Sequence, residues 1–129
     1  MPRNQRLLIA SLGAVVIALT TLATLFSARM GGVPATPRDS VIVTATDSAF
    51  DHTVIGIPAD VPVSLTLVNQ GQLQHDLSID ALGLNLVAAA GKTSATTVTL
   101  PAGTYEAYCS VPGHRDLGMT LRIEVNPAS

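Results

Sequence analysis

Residues 104–125, TYEAYCSVPGHRDLGMTLRIEV, hold two stretches with a period of two and a turn-rich insert between them. In the first, Tyr105, Ala107 and Cys109 oppose Thr104, Glu106 and Tyr108. In the second, Met119, Leu121, Ile123 and Val125 oppose Thr120, Arg122 and Glu124. Alternation of this kind puts every second side chain on one face of a strand. The apolar face of 119–125 predicts a core-facing strand. Cys109 and Met119 share that inward parity, at the two strand ends that meet the insert. Within the insert, Pro112-Gly113 predicts a turn, because proline fixes φ and glycine permits a positive φ. Gly118 predicts close backbone approach beside Met119. The one cysteine of the chain, Cys109, is thus followed at equal intervals by His114 and Met119, as Cys-x4-His-x4-Met.

The same texture extends upstream to residue 40. Short runs rich in Val, Ile, Thr and Leu alternate with turn residues. They predict strands at 41–46, 52–57, 63–69, 75–80, 84–89, 95–100, 104–109 and 119–125. LNLVAAA (84–90) also suits a helical turn. This pattern predicts an all-β antiparallel sandwich or barrel. In HDLSID (75–80), His75, Leu77 and Ile79 share a face against Asp76, Ser78 and Asp80. His75 therefore joins Cys109 and Met119 as a metal-capable side chain aimed inward from a strand end.

Residues 7–28 carry no charge, with Arg3 and Arg6 before them and Arg29 after. About twenty apolar residues at a rise of ~1.5 Å span roughly 30 Å, the thickness of a bilayer core. A signal-peptide core is shorter, about 7–15 residues, and ends in a small-x-small site. Pro34 spoils the nearest candidate, Val33-Pro34-Ala35. Residues 1–28 thus predict one N-terminal transmembrane helix serving as an uncleaved anchor, ahead of a cleaved signal. Residues 29–39, including GGVPATP (31–37), form a Gly/Pro linker. Residues 40–126 form the folded domain. The leading basic residues place the N-terminus in the cytoplasm and the domain on the periplasmic or extracellular side. From Asp39 onward, nine acidic residues face only Lys92, Arg115 and Arg122, a net charge of −6. That excludes nucleic acid as a partner, which calls for a basic face.

His75, Cys109, His114 and Met119 offer two imidazoles, a thiolate and a thioether. Two histidines and a cysteine with a weak methionine form the donor set of a blue-copper electron-transfer site. Structural zinc commonly takes paired cysteines, and calcium and magnesium take oxygen.

YCSVPGHRDLGM (108–119) resembles the copper loop of the cupredoxins, the plastocyanin and azurin superfamily. Its spacing is most similar to that of rusticyanin and sulfocyanin. VNQGQLQHDLSI (68–79) resembles the family's first-histidine segment, and PAGTYEAYCSVPGH (101–114) its penultimate strand. The resemblance covers residues 40–126. It implies an eight-stranded Greek-key β-sandwich holding one type 1 copper. His75, Cys109 and His114 would be the equatorial ligands, and Met119 the axial one. Many relatives carry Asn after the first histidine, tying the two ligand loops together. Asp76 stands there, a departure at a position that bears on those bonds and on the reduction potential. The binuclear copper domain of cytochrome oxidase subunit II needs a second cysteine four residues after the first, where this chain has Gly113.

Other signals carry less. His52 fits no ligand spacing. GKTS (91–94) lacks the glycine a phosphate loop needs at position 86, which is Leu86, and reads as a hairpin turn. No Gly-x-Ser-x-Gly elbow accompanies His75-Asp76. Tyr105 and Tyr108 read as packing beside the site. The leading function is a membrane-anchored carrier of single electrons, not itself an enzyme. The resemblance implies electron exit through His114, within an apolar patch of Val111, Pro112 and Leu117. The acidic domain suits a basic partner such as a c-type cytochrome, or a respiratory oxidase. The competing readings are a copper-handling chaperone or scavenger and an accessory subunit of a respiratory complex.

Overall fold

β-branched and leucine side chains at every second position build most of this fold. The computed structural model describes residues 37 and 39–127. Eight strands run in order: β1 (Asp39–Ala45), β2 (Val54–Pro58), β3 (Val63–Asn69), β4 (His75–Ile79), β5 (Leu84–Ala88), β6 (Thr93–Val98), β7 (Gly103–Tyr108) and β8 (Thr120–Asn126). A single 3₁₀ turn, Asp80–Leu82, separates β4 from β5. Residues 84–88 are strand, so the helical alternative for that segment does not hold. Among the described residues no helix is long and apolar enough to cross a membrane. The predicted transmembrane helix at 1–28 lies outside them.

The strands form two sheets, β1-β3-β6 and β2-β8-β7-β4-β5. Their inner faces share one core. Val43, Leu65 and Leu67 from the smaller sheet and Leu77, Ile79, Leu121 and Ile123 from the larger are each at most 2 % exposed. Burying such a side chain contributes about 1.5–3 kcal/mol. The expected antiparallel sandwich needs one correction: β1 pairs with β3, and β2 with β8, in parallel. β2 lies in the other sheet from β1 and β3, so the chain leaves the smaller sheet and re-enters it in the same direction. Alternation reports which face a side chain takes, not which way its strand runs. GKTS also differs from expectation. It is a turn, with Gly91 at φ 68°, but it joins strands of different sheets and closes no hairpin.

β4 departs from simple alternation. All five of its residues are buried, including Asp76 and Ser78 on the face expected to be polar and open. It lies between β5 and β7, yet its two seams differ. Five residue pairs join β4 to β5, while the ladder to β7 is the one pair Ser78–Tyr108. Six pairs join β7 to β8. This register brings the start of β4, the end of β7 and the start of β8 to the same end of the larger sheet.

Candidate metal centre

His75 opens β4, Cys109 follows β7, and Met119 precedes β8. All three are fully buried, and His114 is half-buried. Cys109 Sγ lies 3.8 Å from His75 Nδ1 and 3.7 Å from His114 Nδ1. The three donor atoms lie within 4.8 Å of one another. Donors so spaced are what a shared ion roughly 2.0–2.3 Å from each nitrogen and sulfur requires. The imidazole rings stand 5.1 Å apart, tilted by 43°. A buried thiol between two imidazole nitrogens, with a buried thioether at the same sheet end, suits copper by its chemistry. The structure thus brings together His75, Cys109 and His114 and seats Met119 between them in the chain's hydrogen bonding. Cys109 N donates to Met119 O (3.0 Å), and Met119 N donates to His114 O (3.1 Å).

The insert folds as its sequence suggests. His114 N donates to Val111 O, Leu117 N to Gly113 O and Gly118 N to Arg115 O. Gly113 and Gly118 have φ of 84° and 94°, a region other residues rarely enter. A Cβ on Gly118 would meet nothing within 4 Å. Its role is therefore conformational, and the close approach expected there is absent. Close approach occurs instead at Gly71, where a Cβ would come within 2.3 Å of Asp47 Oδ1 and 2.9 Å of His75 Nε2.

Asp76 binds the two ligand-bearing segments together. Its Oδ1 accepts from Ser110 N (2.7 Å) and Ser78 Oγ (3.2 Å), and its Oδ2 from Ser110 Oγ (2.5 Å). The residue after His75 is thereby fastened to the residue after Cys109. Aspartate performs here the tie that the resemblance implied for asparagine. On the other side, Asn69 Nδ2 donates to Leu73 O (2.8 Å) and Ala88 O (2.9 Å), and its Oδ1 accepts from Gly71 N (2.8 Å). These bonds set the loop that delivers His75. Asp47, after β1, accepts from Gln72 N (2.6 Å) and Leu73 N (3.3 Å) and stands 3.5 Å from His75 Nε2. The Gln72 bond, more than any other influence, holds its carboxyl below the usual carboxylate range.

Asn69, Ser110 and Asp47 do not emerge from the sequence reading. Each acts across 19 to 34 positions or through a loop, and no periodicity marks such partners. His52 is exposed beside Asp51 and takes no part in the site. At the rim, Arg115 stacks on Tyr108 at 4.0 Å and pairs with Glu106. Tyr108 donates its hydroxyl to Asp80 (2.8 Å), which raises the phenol above its ordinary range. Tyr105 packs against the core and donates to Pro101 O. Leu117 (72 % exposed) and Leu73 (54 %) leave apolar surface on the His114 loop and on the loop leading to His75.

A family model described as the cupredoxin-like domain matches residues 14–119. Among curated proteins, none matches the sequence. Among solved structures, auracyanin B is 28 % identical at a TM-score of 0.65, covering 74 % of this chain and 94 % of its own. Auracyanin A from Chloroflexus aurantiacus, described as a "blue" copper protein, is 24 % identical at a TM-score of 0.58, covering 67 % and 98 %. The periplasmic domain of cytochrome oxidase subunit II from Bradyrhizobium japonicum is 13 % identical at 0.61, covering 71 % and 86 %, and shares the fold.

Proposed function

Because this chain belongs to the cupredoxin-like domain family, we propose that it carries single electrons between redox partners through one type 1 copper. His75, Cys109, His114 and Met119 would hold the metal. One observation carries the reading: Sγ of the only cysteine sits 3.7–3.8 Å from Nδ1 of two histidines, with a fully buried methionine at the same end of the sheet. Copper bound there would supply a one-electron couple. The chain's residues supply the rest. Backbone bonds among Cys109, His114 and Met119, and the Asp76–Ser110 tie, fix the donors before metal arrives. Little then has to rearrange when the charge changes. Burial of His75, Cys109 and Met119 excludes water, and His114, the less buried of the two histidines, offers the route out. Enclosed donors of this kind suit retention of the metal better than its delivery to another protein.

Leu117, Pro112 and Leu73 provide an apolar docking rim. Arg115 and Arg122 are each paired with a glutamate, and the exposed carboxylates of Asp39, Asp47, Asp51, Asp60, Asp80 and Asp116 leave the surface acidic, which suits a basic partner such as a c-type cytochrome, or an oxidase. The uncharged stretch 7–28 supports attachment to a membrane with the domain on the extracytoplasmic side. Fractionation of cells expressing the chain tests that part: recovery in the soluble fraction after gentle lysis would oppose it.

The main test is the visible absorption of the full chain with one equivalent of Cu(II), beside Cys109→Ala. The expected result is an intense thiolate-to-copper band, bleached reversibly by reductant and absent from the variant. A pale protein, or a band that survives in Cys109→Ala, would sink the reading.

A further inference from the structure

His75 is fully buried, yet its Nε2 has no hydrogen-bond partner among the described residues. An orphaned buried donor or acceptor is costly, so such atoms normally have a purpose. Nδ1 of the same ring faces Cys109 Sγ at 3.8 Å. The ring therefore commits Nδ1 to the centre and turns Nε2 away from it. In that direction stands Asp47 Oδ1, at 3.5 Å.

This distance exceeds that of a formed hydrogen bond. The carboxylate is nonetheless built into place. It is fixed by the N–H groups of Gln72 and Leu73, on the loop that leads into His75. Residue 71 must be glycine for the two groups to face each other, because a Cβ would come within 2.3 Å of the carboxylate and 2.9 Å of the imidazole. Asp47 itself is half-exposed and lies in the turn that follows β1 of the smaller sheet, while His75 belongs to the larger.

We propose that Asp47 is a positioning residue for His75: its carboxylate faces Nε2–H, which leaves Nδ1 bare toward Cys109 and His114. A ligating histidine whose other N–H meets a carboxylate is held in one tautomer and made a stronger donor. The negative charge also favours the more highly charged, oxidised state of a bound metal. Asp47 thus sets the affinity and the reduction potential from the far side of the ring. The inference rests on the copper reading above and adds a residue to it.

Three forms of the full chain separate the possibilities. Asp47→Asn keeps an oxygen for Gln72 and Leu73 and removes the charge. Asp60→Asn removes the same charge at the opposite end of the sandwich, beyond the Pro58–Asn126 pair, at a φ of 59° that asparagine tolerates. In Asp47→Asn we expect the reduction potential to rise by about a tenfold shift in the Cu(I):Cu(II) ratio, ~59 mV for one electron. Cu(II) affinity should fall about 10–100-fold. Asp60→Asn should match the parent chain in both. In the metal-free parent chain, ¹⁵N NMR should show His75 protonated on Nε2 alone, a result that needs no variant to fold. An Nδ1–H tautomer there, or equal potentials for the two asparagine variants, overturns the role of Asp47 while the copper reading stands. A parent chain that binds Cu(II) without a blue band overturns the copper reading, and this one with it.

Discussion

Replacing Asp76 with alanine removes the fastening between the two segments that carry His75 and Cys109. Asp76 is 4 % exposed and accepts three hydrogen bonds, two of them at 2.7 Å or less from Ser110. A bond to a charged group contributes about 1.5–3 kcal/mol, and a stranded buried group costs about 1–3 kcal/mol. The hydroxyls of Ser78 and Ser110 can turn to new acceptors, and Ser110 is exposed, so its freed N–H can turn to water and the stranding cost falls away. The net loss is then about 1.5–3 kcal/mol, a substantial part of the roughly 5–15 kcal/mol that holds a domain folded. Asp76→Asn keeps Oδ1 for Ser110 N, and the Ser110 hydroxyl can reverse to accept from the new amide. Its cost should stay near or below about 1 kcal/mol, the net value of one neutral bond. Urea unfolding of the metal-free chain measures both. The reasoning fails if the two variants lose equal stability, or if Asp76→Ala unfolds at the parent's midpoint.

Gly71→Ala drives a Cβ against Asp47 Oδ1 and His75 Nε2; overpacking of about 1–3 kcal/mol and weakened copper uptake are expected by urea melt and titration, and parental values in both would contradict the close approach. Leu77→Ala empties a fully buried position between the sheets and should cost about 2–5 kcal/mol with an unchanged denaturant slope, whereas a loss under 1 kcal/mol would show that the core collapses around it. Tyr108 should release its proton above the ordinary tyrosine range of about 10, because Asp80 accepts from the neutral phenol. The stability linked to that bond is present below pH 10 and is lost as pH rises through the elevated folded value. An ultraviolet phenolate titration beside Tyr108→Phe checks it, and a transition in the ordinary range, missing from the variant, would refute it.

The four metal-capable side chains were legible because Cys109, His114 and Met119 sit in one short segment and His75, Cys109 and Met119 sit at predicted strand ends. The strands themselves were legible wherever one face meets the core and the other meets water, as in β3 and β8. β4 escaped that rule because both its faces are covered, so Asp76 and Ser78 look like surface residues in sequence and are interior ones in space. Strand direction escaped as well, since Val41 and Leu65 would alternate alike in a parallel or an antiparallel pair. Gly118 shows a finer limit: a glycine can be needed for its φ or for its missing Cβ, and the letter alone does not say which. Asp47 belongs to an ordinary turn, Thr46-Asp47-Ser48, and becomes special only when β1 and the loop before β4 are brought together.

The narrow ladder between β4 and β7 divides the larger sheet into unequal parts. One side is the β4–β5 hairpin, and the other is β7, β8 and β2. One ladder pair, the Asp76 bonds, the Tyr108–Asp80 bond and core packing hold them together in the bare chain. Partial opening along such a line exposes one hairpin while the rest stays closed. His75 lies on one side of that line, and Cys109, His114 and Met119 lie on the other. A metal shared among them is then a removable rivet across the weakest seam. Amide exchange should run ahead in β4 and β5 without metal and fall into step with β8 once it is bound. The stability gained would grow with the logarithm of free metal.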